Sequence, residues 1–123
     1  ECIHQTHLTT SQIAHLNQRF AKDNLIVADS AEPRLISELS RDCNIVPAIK
    51  GQGSITFGIS LLQDFDLVID AESLNLVKEL NNYCWLEKKS RTPIDKFNHL
   101  IDALRYSISY QLQNPNQGQY HIY

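Results

Sequence analysis

The run Leu25-Ile26-Val27-Ala28 places the strongest constraint on this chain. Four consecutive apolar residues leave no polar side for water. A strand built from them needs cover on both faces, the pattern of a central strand in a parallel sheet. Asp29 ends the run. A helix is expected next, because Ser30 can cap it and Pro33 falls in its first turn, where no amide donor is needed. Leu35, Ile36 and Leu39 would form its buried stripe, and it stops near Cys43-Asn44. Ile45 to Ile49 reads as a second strand, at an edge or bulged, since Pro47 cannot donate to a ladder. Leu67-Val68-Ile69 reads as a third strand and residues 1–6 as a weakly alternating one.

Helices fill the intervals. Thr9 and Gln12 have the capping-box spacing, with Leu8 and Ile13 placed as a hydrophobic staple, so a helix should run from Thr10 to Lys22. Further helices are expected over 54–63, from Ser73 to Trp85 and from Lys96 to Gln113. The last has the apolar set Phe97, Leu100, Ile101, Leu104 and Ile108, which follows the 3.6-residue period. A polar, basic connection with Pro93 covers residues 86–95. Strand–helix alternation predicts an α/β layer with a mostly parallel sheet flanked by helices. In such sheets ligands gather at the carboxyl ends of the strands.

A length of 123 residues suits one domain, expected over residues 1–113 with a loose tail at 114–123. No stretch approaches the roughly 18 uncharged apolar residues of a membrane helix. Three cysteines without a CxxC pair argue against a disulfide framework and a structural zinc site, and for a reducing compartment. The chain opens at Glu1 and contains no Met, so it is expected to be a piece of a longer protein. The net charge of −3 points to no partner, but it is unevenly spread. Residues 60–85 are acidic, whereas Lys88, Lys89, Arg91, Lys96 and Arg105 make the last third basic, a segment that could meet a polyanion or simply be solvated.

Three features could carry chemistry. Asp29, at the carboxyl end of the first apolar strand, could coordinate a divalent cation or merely cap the helix that follows. His99, Asp102 and Tyr106 stand at i, i+3 and i+7, on one face of the last helix. They could supply a metal ligand with an orienting neighbour, or a local surface hydrogen bond. Lys50-Gly51-Gln52-Gly53-Ser54 joins a cation and two glycines to a helix N-terminus, which suits a phosphate or a tight strand-to-helix turn. It is not a Walker A motif, because the lysine precedes the glycines.

Taken in order, Asp-Ser-Ala-Glu-Pro (29–33), Lys-Gly-Gln-Gly-Ser-Ile (50–55) and Asn-His-Leu-Ile-Asp-Ala-Leu-Arg-Tyr (98–106) resemble the nuclease domain of the large terminase subunit of tailed bacteriophages. Glu-Leu-Asn-Asn-Tyr-Cys-Trp (79–85) resembles the helix before that family's basic connection, and the likeness spans residues 1–112. The resemblance implies a ribonuclease-H-like α/β fold and a metal-dependent endonuclease that cuts concatemeric viral DNA during genome packaging in the bacterial cytoplasm. It implies Asp29 and Asp102 as carboxylate ligands of Mg2+ or Mn2+ in a two-metal site, with His99 beside them as a catalytic residue. Lys50, Lys88, Lys89 and Arg91 would contact the backbone of double-stranded DNA. The portal and the small terminase subunit would be partners of the full protein. The family has a further metal-binding Asp on a strand upstream of the segment resembling residues 1–6. The domain is therefore expected to lack its first strands and to bind metal weakly. A receiver-like signalling module and an inactive remnant of the nuclease are the alternatives.

Overall fold

The structure is a computed structural model and describes residues 1–83, 93–94 and 96–113. Among these residues five helices and two strands follow in the order α1 (Thr10–Phe20), β1 (Ile26–Ala28), α2 (Pro33–Leu39), β2 (Ile45–Pro47), α3 (Ser54–Gln63), α4 (Leu74–Asn82) and α5 (His99–Gln113). The two strands pair in parallel, with Ile26 opposite Ile45, Val27 opposite Val46 and Ala28 opposite Pro47. The expected α/β arrangement is present as a small parallel sheet flanked by helices.

Local chemistry explains most boundaries. Thr9 Oγ1 accepts the Gln12 amide at 3.2 Å and Gln12 Oε1 accepts the Thr9 amide at 2.8 Å, a complete capping box that starts α1. Pro47 ends β2 because it has no amide to give. The next donor, the buried Ala48 amide, closes the ladder onto Ala28 O at 2.7 Å. Gly53 caps α3 at φ 76°, a left-handed conformation that a side chain would strain. Ser30 does not cap α2. The N-cap is Glu32 without a side-chain bond, and Pro33 at the first position already removes one donor that would need capping.

Four further expected features differ. Residues 1–6 form no strand. They run as irregular chain to α4, where the Glu1 carboxylate accepts the Asn75 and Leu76 amides at 3.2 and 2.9 Å. Leu67-Val68-Ile69 is also not a strand, and Val68 is 96% exposed. An apolar run becomes a strand only where a neighbour takes its backbone groups, and among the described residues none does. For the same reason β1 is one of two strands among the described residues and only half-buried, although its sequence suits a central position. The last helix starts at His99 rather than Lys96, because Phe97 sits at φ 53° before it, partly exposed instead of in the apolar stripe.

α5 organises the packing. It lies against α3, α4 and β1, and its Ile101 is one of four buried apolar residues among those described, with Leu39, Ala48 and Leu62. The buried Glu79 of α4 accepts the Leu100 and Ile101 amides of α5 at 2.8 and 3.0 Å. A carboxylate there satisfies two donors that a helix start leaves unpaired and meets the positive end of its dipole. At the other contact, buried Gly58 of α3 lies under the Arg105 stem, and an added Cβ would overlap its Cγ and Cδ. Glu79 and Gly58 thus fix where α5 starts and how closely it approaches α3.

Candidate functional site

The parallel pair puts the carboxyl ends of β1 and β2 side by side, and the residues just past each strand meet. Asp29 follows β1. Its Oδ1 accepts the Ala31 amide at 3.0 Å, turning the chain into α2, and also accepts a hydrogen bond from the Lys50 ammonium beyond β2. The turn-capping role and the polar-site role of Asp29 therefore coexist on one oxygen. The Lys50 bond is the main reason the Asp29 carboxyl lies below its usual range, against a smaller opposing effect of burial. In turn Asp29 raises the Lys50 ammonium above its ordinary value.

α5 supplies the second half. The Arg105 guanidinium donates to Asp102 Oδ1 at 3.2 Å, with the arginine side chain 6% exposed and the aspartate 28%. Arg105 and Lys50 both face the Tyr106 ring, at 4.7 and 5.4 Å from its centroid. A stacked cation gains from the ring quadrupole and keeps its charge. The order Asp29, Lys50, Tyr106, Arg105, Asp102 is thus one continuous polar cluster joining the sheet edge to α5. Buried Arg105 Nε has no hydrogen-bond partner among the described residues. Beside the cluster opens a cleft of about 600 Å³, lined by Lys50, Gly51 and Ser54 on one wall and Asp102, Arg105 and Tyr106 on the other. Asp29 borders a neighbouring cleft between β1, α1 and α2, and reaches the first through Lys50.

Not every residue singled out by sequence converges here. His99 is exposed and lines a different cleft, against residues 3–6. It is the first residue of α5, and helical side chains tilt toward the N-terminus, so the shared stripe separates at its lower end. Lys88, Lys89 and Arg91 lie outside the described residues, as does the tail 114–123. Arg105 and Glu79 were not singled out. For Arg105 the signal was available, since it stands three residues after Asp102.

Asp29 and Asp102 are hard oxygen donors of the type Mg2+ or Mn2+ takes. Each is nevertheless bonded by a cation of the chain itself, and among the described residues no three His, Cys, Asp or Glu side chains converge as a metal site. The donor set as it stands does not make a two-metal centre.

The family model described as the terminase RNase H-like domain matches residues 4–110. The large terminase subunit of Bacillus phage SPP1 is 38% identical over 91 residues, covering 67% of this chain and 22% of that protein. The large terminase subunit of Escherichia phage T5 is 33% identical over 119 residues, covering 85% of this chain and 27% of that protein. The chain thus spans about a quarter of the length of these relatives. No solved structure matches significantly.

Proposed function

The chain belongs to the terminase RNase H-like domain family, and from that premise we propose that it is the DNA-cutting part of a phage large terminase subunit. In this reading residues 1–113 are a metal-dependent endonuclease unit that cuts concatemeric viral DNA during genome packaging in the bacterial cytoplasm, alongside the portal and the small terminase subunit. Family membership sets aside a receiver-like signalling module.

The observation that carries the reading is the cluster joining Asp29 at the carboxyl end of β1 to Asp102 on α5, next to an open cleft. Two carboxylates from distant segments, each paired with a cation of that cluster, would be the donors for a divalent ion. The ion would polarise the phosphodiester and activate water. Asp29 and Asp102 would hold it, and a further carboxylate would come from sequence beyond this chain. Lys50 and the basic run Lys88, Lys89 and Arg91 would steady the DNA backbone, a contact that contributes affinity rather than sequence choice. His99 would join them only if its side chain leaves the cleft it now lines.

Plasmid cleavage tests this. The large subunit carrying this chain should nick and linearise supercoiled plasmid with Mn2+, and EDTA should stop it. Asp29→Asn and Asp102→Asn should each reduce cutting at least about 100-fold, the scale expected when a transition-state interaction of about 2.7 kcal/mol is lost. Cutting by both variants at the unaltered rate would reject the assignment. An inactive remnant would show no Mn2+-dependent cutting at all.

A further inference from the structure

Resting on the reading of Lys50 as a DNA-backbone contact, we propose that Tyr106 is a positioning residue that holds the Lys50 ammonium in the cleft, in place for a phosphodiester oxygen. A lysine carries its charge on a flexible four-carbon stem, and ordering such a stem on binding costs affinity. The Lys50 side chain is 38% exposed, so packing alone does not order it. Two contacts do. Asp29 Oδ1 accepts one hydrogen bond from the ammonium. The Tyr106 ring lies beside it, 5.4 Å from Nζ, where the ring quadrupole attracts the charge. An ammonium has three donors, so the bond to Asp29 leaves two for an acceptor in the cleft that Lys50 lines.

The ring is itself held. Tyr106 is half-buried on α5 and lines the same cleft. The Arg105 guanidinium lies 4.7 Å from its centroid. That cation is immobile: its side chain is 6% exposed, it donates to Asp102 Oδ1, and its stem rests on Gly58. A ring anchored by an immobile cation gives the mobile one a fixed place. Asp29 and Asp102, each bonded to one of the two cations, offset the repulsion between them. An aliphatic side chain at position 106 would fill the space but would offer the ammonium no quadrupole.

Fluorescence anisotropy of a short labelled DNA duplex, titrated with the full chain in EDTA, tests this with neither metal nor cutting involved. Lys50→Gln should weaken binding about five-fold and lower the slope of log affinity against log salt by about 0.9, the signature of one lost phosphate contact. Tyr106→Leu should weaken binding about three-fold, the worth of an exposed contact between a cation and a ring. Tyr106→Phe keeps the ring and should stay within about 1.5-fold of wild type. In the Lys50→Gln background Tyr106→Leu should cost nothing further, because the charge that the ring holds is gone. If Tyr106→Leu leaves binding unchanged, weakens it equally in both backgrounds, or is matched by Tyr106→Phe, positioning is refuted while Lys50 remains a backbone contact. If Lys50→Gln changes neither affinity nor slope, the backbone contact itself fails, and positioning fails with it.

Discussion

Glu79→Ala should be among the most damaging single changes in this chain, and the reason is countable. The carboxylate is 5% exposed and accepts two amides of the first turn of α5 at 2.8 and 3.0 Å. Alanine leaves both donors without an acceptor. The Ile101 amide is buried, so orphaning it costs about 1–3 kcal/mol, while the partly buried Leu100 amide falls near the low end of that range. Loss of the negative charge at the helix N-terminus adds about 0.5 kcal/mol. The total is about 3 kcal/mol, a large part of the roughly 5–15 kcal/mol by which domains are stable. With a urea dependence of about 1.5 kcal/mol per molar, the unfolding midpoint should fall by about 2 M. Glu79→Gln keeps an amide oxygen as acceptor and loses the charge, so its midpoint should fall by less than half as much. A midpoint for Glu79→Ala within about 0.3 M of wild type would refute the capping role, since an exposed carboxylate would give that result. Equal losses in the two variants would also refute it, because the neutral acceptor would then count for nothing.

Other expectations follow from the same contacts. Gly58→Val should destabilise by about 2 kcal/mol in urea melts, because its side chain overlaps the pinned Arg105 stem, whereas Gly58→Ala should cost less, helix propensity returning about 1 kcal/mol. Asp102→Ala should cost about 2 kcal/mol, leaving a buried guanidinium without its carboxylate; the partial exposure of Asp102 keeps this below the cost of breaking a fully buried pair. The Asp29–Lys50 pair should make its small contribution to stability between about pH 4 and pH 10.5. Asp29 is depressed in the folded state, so its share is lost as pH falls through the folded value. Lys50 is raised, so its share is lost as pH rises through its own. The stability difference between wild type and Lys50→Gln, measured across pH, should be flat between pH 5 and 9 and shrink at both ends.

Much of this was legible where the chemistry is local. The Thr9–Gln12 capping box and the Gly53 turn into α3 act within a few residues, and each appears where the sequence puts it, whereas the second strand, expected to reach Ile49, ends at Pro47. Features that need a distant partner were not. The Leu67-Val68-Ile69 run has the composition of a strand, but composition does not supply the neighbour whose backbone would pair with it. Asp29 and Lys50 are 21 residues apart, and only the parallel register brings them together. Asp102 is a candidate that the sequence offers on the last helix. Its i+3 spacing points to Arg105 as a partner, but the burial of that arginine was not legible, because it depends on the missing side chain at Gly58. His99 shows the converse: periodicity groups it with Asp102, but its place at the very start of α5 turns it elsewhere.

The most direct test of the central claim, that one divalent-ion site joins Asp29 and Asp102, is to map the ion itself. Fe2+ substituted for Mg2+ in the large subunit generates hydroxyl radicals with ascorbate and peroxide, and these cut the polypeptide beside the bound ion. The predicted result is scission near both residue 29 and residue 102, suppressed by excess Mg2+ and lost in Asp29→Asn and Asp102→Asn. Scission confined to other segments, or a pattern unchanged in both variants, would contradict it.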